Sequence, residues 1–299
     1  MLDYKLLEAL AAVAQEGGFE KAAAKLRITQ SAVSQRVKLL EEQTGQVLMA
    51  RAAPPRPTPA GRQMIKHFLQ VNRLEGDLKE SLDLSGKDLF TTLALGINGD
   101  SLSTWFLPAV RDFLVREHVL LDLRGDDQDE THKMLRDGEV IGCISVQDRP
   151  IQGCLMEYLG QMDYRLIASP GFSKKWFPQG LTPETAAKAP FFIFNRKDHL
   201  HYKMFPLALG EVPDPLPAHY LPSSEQFVAF IEAGLGYGML PDQQSREYLE
   251  TGRLLDIAHP HKVPVHLYWH CWNLSSALLD RFTRHLVRET RKILEPSNQ

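Results

Sequence analysis

No apolar run in this 299-residue sequence approaches 18 residues, so no stretch reads as a transmembrane helix. The N-terminus opens directly on helical Leu6, Leu7, Leu10 and Val13 rather than on a basic segment with an apolar core. That start implies no secretory signal and predicts a cytoplasmic, bacterial address. There are three cysteines, Cys143, Cys154 and Cys271, in apolar or strand-like surroundings and without metal-ligand spacing. They are expected to be reduced core residues, and neither a metal nor a cofactor is expected. No His-Glu-x-x-His pattern, Gly-x-Ser-x-Gly elbow or phosphate loop is present. The glycine-rich Gly234-Leu235-Gly236-Tyr237-Gly238 follows a helix and precedes a strand, the reverse of a dinucleotide site. No nucleophile, base and orienter assemble, which argues against an enzyme.

A strong basic excess is also missing, since the net charge is −3. The charge is nevertheless uneven: residues 1–58 hold eight Lys/Arg and six Asp/Glu, a net of +2 that leaves −5 for the remainder. A weakly basic head on an acidic body permits nucleic-acid contact by the head alone.

Within the head, residues 17–44 read as two short helices joined by a tight turn. Ala22, Ala23 and Ala24 allow close helix approach, and Thr29 is placed to cap the second helix. From Gln30 the helical period puts Val33, Val37 and Leu40 on one stripe, with Ser31, Ser34, Gln35 and Lys38 within roughly a 100° arc opposite. That short, polar face suits base edges and phosphates in a DNA major groove. A solvated helical hairpin would look similar in isolation. A first helix over 4–16 supplies the third member of a helix-turn-helix core. A strand over 46–51 and an extended Pro54-Pro55-Arg56-Pro57 arm then suggest a wing that carries Arg51 and Arg56.

Thr58-Pro59 starts a helix that runs to about residue 82. Its Met64, Phe68, Val71, Leu74, Leu78 and Leu82 form a seam that implies a partner helix from a second subunit. After a linker over 83–88, strands over 89–97, 119–124 and 140–146 alternate with helices over 102–115 and 131–136. Such alternation predicts a parallel sheet with helical crossovers. Two strands over 155–159 and 164–168 lead into a second unit with strands over 191–194, 219–221 and 237–240. A strand over 265–272 crosses back, and a helix over 276–294 closes the chain.

Gly18-Phe19, Ala22-Ala23, Leu26, Thr29-Gln30-Ser31-Ala32-Val33-Ser34, Leu40-Glu41, Gly45, Arg51, Thr58 and Gly61 together resemble the head of LysR-type transcriptional regulators. Met49 stands where the family usually has an aromatic residue, as a substitute apolar plug. The resemblance covers the full length. It implies a winged helix-turn-helix, a linker helix and an α/β two-lobed effector domain like a periplasmic binding protein. The corresponding division is 1–58 for DNA binding, 59–88 for linker and dimerisation, and 89–299 for effector binding. Lobe I would take about 89–162 and 267–299, and lobe II about 163–266.

A narrower similarity, to the arginine- and lysine-responsive ArgP/LysG branch, rests on Ile28-Thr29-Gln30-Ser31-Ala32-Val33-Ser34-Gln35-Arg36, Pro54-Pro55-Arg56-Pro57-Thr58, Asn98, Asp100-Ser101-Leu102, Thr104-Trp105, Gly138-Glu139-Val140, Ser223-Ser224-Glu225 and Tyr268-Trp269-His270. That branch is also described as inhibitor of chromosome initiation. It implies an activator of amino-acid exporter genes that senses a basic amino acid, acting on a pseudo-palindromic operator. The partners implied are double-stranded DNA, lysine or arginine, a second copy through 59–82 and RNA polymerase, with dimer and tetramer both open. An effector-independent DNA-binding inhibitor of replication initiation is the alternative. The DNA-contact candidates are Thr29, Gln30, Ser31, Ser34, Gln35, Arg36, Lys38, Arg51 and Arg56.

The body's own residues point to a ligand seat. Asn98-Gly99-Asp100-Ser101 lies between the first strand and its helix, where α/β sheets place ligands. Backbone N–H groups there, with the Ser101 and Ser103 hydroxyls, suit an α-carboxylate, and Ser223-Ser224 before Glu225 repeats the arrangement. Asp100, Asp126, Asp127, Asp129 and Glu225 are the anions available to a cation. Ser145, Gln147 and Asn195 follow strands and are expected to line the same cleft, with Leu102 beside them. Any single one of these polar residues can equally be a helix cap.

Overall fold

The computed structural model describes residues 2–50, 52–82, 90–125 and 131–294, so Arg51, the 83–88 linker and the Asp126–Asp129 candidates fall outside the described residues. The head begins with α1 (Tyr4–Glu16), α2 (Phe19–Leu26) and α3 (Gln30–Thr44). Gly17 and Gly45 end α1 and α3 in the left-handed region, at φ 71° and 66°. The Thr29 hydroxyl accepts the Ala32 N–H at 3.2 Å, which caps α3. Leu7, Leu10 and Val13 of α1 meet Ala22, Val33, Val37 and Leu40 in one buried cluster.

The predicted 46–51 strand shrinks to β1 (Met49–Ala50), and part of the proline arm, read as irregular, is β2 (Arg56–Pro57). The two pair antiparallel, Met49 opposite Pro57 and Ala50 opposite Arg56. Proline is tolerated because this is an edge pair, and Thr58 N–H donates to the Leu48 carbonyl at 2.9 Å just beyond it. The Glu41 carboxylate accepts Leu48 and Met49 N–H at 2.8 and 3.1 Å, tying the end of α3 to the wing. Met49 is buried.

Helix α4 (Pro59–Ser81) departs from the expected seam. Ile65 and Phe68 are buried in the head's own core, with Met64 and Leu69 packed around them. Only Leu74, Leu78 and Leu82 stay exposed, at 39%, 57% and 56%. The helix also meets the body. Leu69 packs on the cluster of Leu135, Val140, Cys143 and Trp272, and Arg62 lies 3.5 Å from Asp137. A side chain at Gly138, where φ is +80°, would meet Lys66 Cβ at 2.6 Å. The seam therefore failed as one unit because the heptad pattern does not say which half the chain itself covers.

The body follows as β3 (Thr91–Ile97), α5 (Gly99–Ser101), a π-turn over Leu102–Phe106, α6 (Leu107–Arg116), β4 (Val119–Gly125), α7 (Thr131–Arg136) and β5 (Gly142–Ser145). Next come β6 (Cys154–Ala168), α8 (Pro170–Trp176), α9 (Pro183–Ala186), β7 (Phe191–Ile193), α10 (His201–Leu209), β8 (Ala218–Tyr220) and α11 (Ser224–Glu232). The chain ends with β9 (Tyr237–Pro241), α12 (Asp242–Glu250), β10 (Leu255–Asp256), β11 (Val263–Trp272) and α13 (Ala277–Ile293).

Sheet order is β4-β3-β5-β11-β6-β9-β7-β8, with β10 on β6. The outer pairs on each side are parallel, but β11 runs antiparallel to β5 and β6, and β6 to β9. The sheet is mixed, not parallel throughout. The two strands expected over 155–159 and 164–168 are one continuous β6. Gly160, at φ +144°, and a register shift at Leu267/Tyr268 let this β6–β11 ribbon bend without breaking. Trp269, His270 and Trp272 are buried, and the three cysteines are free thiols. Among the described residues no helix is long and apolar enough to cross a membrane.

Two glycines test the head. A Cβ at Gly61 would sit 2.0 Å from the Leu48 carbonyl oxygen, and this neighbour is backbone. Gly61→Ala should destabilise the head by about 1–3 kcal/mol. Gly76 in α4 has nothing within 4 Å of such a Cβ, so Gly76→Ala should be neutral or stabilise by up to about 1 kcal/mol. Thermal unfolding of the two variants should shift in these opposite senses.

Candidate functional site

The outward face of α3 presents Ser31, Gln35 and Lys38 exposed, with Ser34 and Arg36 half-buried. Gln30 is exposed at the helix start, and the Thr29 hydroxyl is already engaged as the cap. Glu41 is turned into the wing, which removes the nearest carboxylate from this face. Lys38 lies 3.6 Å from Glu42, both well exposed, a pair that water and salt screen readily. Arg56 projects exposed from the wing beside α3. A polar helix face flanked by a wing cation can lie against a phosphate-lined groove.

The second site is a cleft of about 380 Å³ between the two sides of the sheet. Asn98, Gly99 and Asp100, where β3 runs into α5, form part of one wall, and Ser224 at the start of α11 faces them. The approach is tight, since a Cβ at Gly99 would lie 2.7 Å from Ser224 Oγ. Two helix starts from opposite halves of the sheet thus converge on one spot. Asn98 is buried with neither side-chain polar atom partnered, and Ser224 Oγ and Gln244 Oε1 are likewise unpartnered. Buried polar groups are normally satisfied, so this cluster is preset for an additional hydrogen-bonding group. Gln244 Nε2 donates to the Ser224 carbonyl at 2.7 Å, bracing that helix start. Tyr164 of β6 donates from its hydroxyl to Asp100 Oδ2 at 2.5 Å across the cleft floor.

Of the sequence-derived candidates, Asn98, Asp100 and Ser224 line the cleft. Others do not line it. Ser101 is fully buried with its Oγ unpartnered, and Leu102 is 42% exposed. Ser103 Oγ donates to the Asp100 carbonyl at 3.2 Å rather than facing a ligand. Ser145 Oγ accepts the Gln147 N–H at 3.2 Å, and the Gln147 carbonyl is 2.9 Å from His270 Nε2. Asn195 Oδ1 accepts the Lys197 N–H at 2.7 Å, closing a turn. Glu225 is exposed in the first turn of α11, outside the cleft. Asp127 lies outside the described residues. Lining residues that the sequence reading missed include Asp148, Tyr164, Phe194, Gln244, His266, Tyr268 and the segment 197–201. Tyr164 and His266 sit on the long central strands, Gln244 inside α12, and Asp148, Phe194 and residues 197–199 in loops, where no local motif marks them; Tyr268 stood only in the Tyr268-Trp269-His270 segment of the narrower similarity. Among the described residues no group of three or more His, Cys, Asp or Glu is placed to hold a metal ion.

Both parts of the chain match models of one family. Residues 4–62 match the model described as bacterial regulatory helix-turn-helix protein, lysR family, and residues 87–291 match the LysR substrate binding domain. The chain belongs to the LysR family of DNA-binding transcriptional regulators; it is not an enzyme. It is similar to the HTH-type transcriptional regulator ArgP of Pseudomonas fluorescens Pf0-1, with 43% identity over 297 residues and 99% of each chain. ArgP of Aeromonas salmonicida is 41% identical over 295 residues, again 99% of each. Among solved structures, ArgP from Mycobacterium tuberculosis superposes with a TM-score of 0.86 at 36% identity, over 99% of this chain and 100% of that one. Full-length LysG from Corynebacterium glutamicum with bound effector Arg gives 0.78 at 31%, over 99% and 100%.

Burial, as the largest cause, depresses the pKa of His201 at the cleft, and of His270 and His285 elsewhere in the body. A depressed folded-state value means the unfolded chain binds more protons as pH falls below about 6.5. The stability these neutral rings contribute is present above that pH and lost below it. The thermal midpoint should therefore fall between pH 7 and pH 5, and His201→Phe should flatten that slope.

Proposed function

We propose that this regulator senses a basic amino acid, arginine or lysine, in the cleft and uses it to control genes such as one for an amino-acid exporter. The observation that carries the reading is the orphaned polar cluster of Asn98 and Ser224 at two converging helix starts, with cleft carboxylates close by. Helix N-termini with free donors suit an α-carboxylate, and carboxylates suit the cationic remainder. The likeness to LysG carrying arginine supports the same ligand class.

In this reading the chain divides at about 58 and 88, and a dimer forms through the exposed Leu74, Leu78 and Leu82, with a tetramer as a further assembly. Two heads then read a pseudo-palindromic operator through Ser31, Ser34, Gln35, Arg36 and Lys38, with Thr29 and Gln30 at the helix start and Arg51 and Arg56 on the wing. The modest head charge makes paired binding necessary for affinity. Ligand binding shifts the populations of the lobes, and so the placement of heads and contact with RNA polymerase, in the cytoplasm.

Titration calorimetry of arginine and lysine into the full-length protein should show saturable binding of at least one, and footprints with and without it should differ. Absence of heat with both, together with identical footprints, would remove the basic-amino-acid claim. Ser34→Ala or Gln35→Ala should weaken operator binding by about five- to a hundredfold with the fold intact. Unchanged sequence-specific binding in both variants would contradict the assignment of α3 as the reader.

A further inference from the structure

We infer that Asp148 is the anion that reads the distal cation of the ligand, and that the Tyr268 ring beside it favours a planar guanidinium over an ammonium. The assignment rests on the basic-amino-acid reading above and names which groups in the cleft discriminate.

Among the described carboxylates of the cleft, Asp148 is the one with both oxygens open. Three aspartates line the cleft among the described residues: Asp100, Asp148 and Asp198. Asp100 already accepts the Tyr164 hydroxyl at 2.5 Å. Asp198 is consumed by its own turn, with Oδ2 accepting Phe194 N–H at 3.3 Å and Oδ1 accepting Leu200 N–H at 3.0 Å. Asp148 makes no hydrogen bond or ion pair with any described residue, and it is exposed on the cleft wall. A carboxylate with both oxygens open can accept two parallel N–H groups, the geometry a guanidinium presents.

The surroundings of Asp148 suit the same group. It follows β5, and Tyr268 on the adjacent β11 pairs with Ser145 at the end of that strand. Asp148 and Tyr268 line the same cleft, and burial, and next the Asp148 charge, hold the Tyr268 phenol above its ordinary pKa. Tyr268 is braced by Tyr158 at a ring separation of 5.4 Å, and Tyr158 bonds His266 Nδ1 at 3.2 Å. A braced aromatic face with a carboxylate next to it binds a flat cation by stacking as well as by charge. Position fits too. β3, which leads to the Asn98 seat, and β11, which carries Tyr268, are separated by β5 alone. Two strand spacings amount to about 10 Å, a span suited to a ligand whose charged ends are held apart by a long side chain.

The test is calorimetry on full-length protein with arginine, lysine and citrulline, the last being an uncharged isostere of arginine. Asp148→Asn should weaken arginine and lysine by about tenfold or more and narrow the preference for arginine over citrulline. Tyr268→Leu should lower arginine affinity more than lysine affinity, and Tyr268→Phe, which keeps the face, should retain the ratio. Thermal midpoints of the variants close to that of the parent establish that the fold is kept. Unchanged arginine binding in Asp148→Asn would overturn the assignment, as would loss of arginine-over-citrulline selectivity in Asp100→Asn alone. Equal losses for arginine and lysine in Tyr268→Leu would overturn the guanidinium preference. If the parent protein binds neither amino acid, the underlying reading fails and this one with it.

Discussion

The antiparallel pairing of β6 with β11 is the constraint on which the body depends. It runs from Val263 opposite Tyr164 to Trp272 opposite Cys154, and each end of the ribbon belongs to a different half of the sheet. The outer strands on both sides attach to it, β5 and β3 by one edge and β9 and β7 by the other. Because the ribbon is continuous, the two halves meet along a floor and leave a cleft above it. The ribbon supplies Tyr164, His266 and Tyr268 to that floor. Its bend is built from Gly160, where any side chain would meet Leu294 Cβ at 2.5 Å, and from the register shift one strand over.

The head depends on a smaller set of close approaches. Gly61 lets α4 touch the Leu48 backbone, and Glu41 fixes the wing to the reading helix, so α3, the wing and the start of α4 are tied together. Helix α4 is then shared. Arg62 reaches the Pro57 carbonyl of the wing at 3.0 Å and lies 3.5 Å from Asp137 at the end of α7. Below it Leu69 enters the body's cluster under Trp272. The reading helix is therefore joined to the effector body through packed side chains as well as through the chain.

Much of this was legible in the sequence where local rules decide structure. The α1 and α2 boundaries follow from periodicity and glycine, and the start of α3 from the cap at Thr29, because helix ends depend on neighbouring residues. The resemblance to the LysR family carried the two-lobed body. What escaped depended on distant partners. Residues 160–163 fall between two expected strands, yet the pairing with β11 carries the ladder through them. Phe68 reads as a dimer contact, yet the chain's own head covers it. Among the effector candidates, Asn98, Asp100 and Ser224 were visible because they stand at strand-to-helix junctions. Ser103, Ser145 and Asn195 look identical in sequence but are satisfied by local backbone groups. Asp148 carried no motif and Tyr268 stood only in the Tyr268-Trp269-His270 segment of the narrower similarity; the sheet order brings both to the cleft.

The most direct measurement is a crystal structure of the full-length protein grown with saturating arginine. Ligand density is expected in the cleft, with its α-carboxylate against Asn98, Gly99 and Ser224 and its guanidinium between Asp148 and Tyr268. An empty cleft, or arginine bound at another surface, would contradict it.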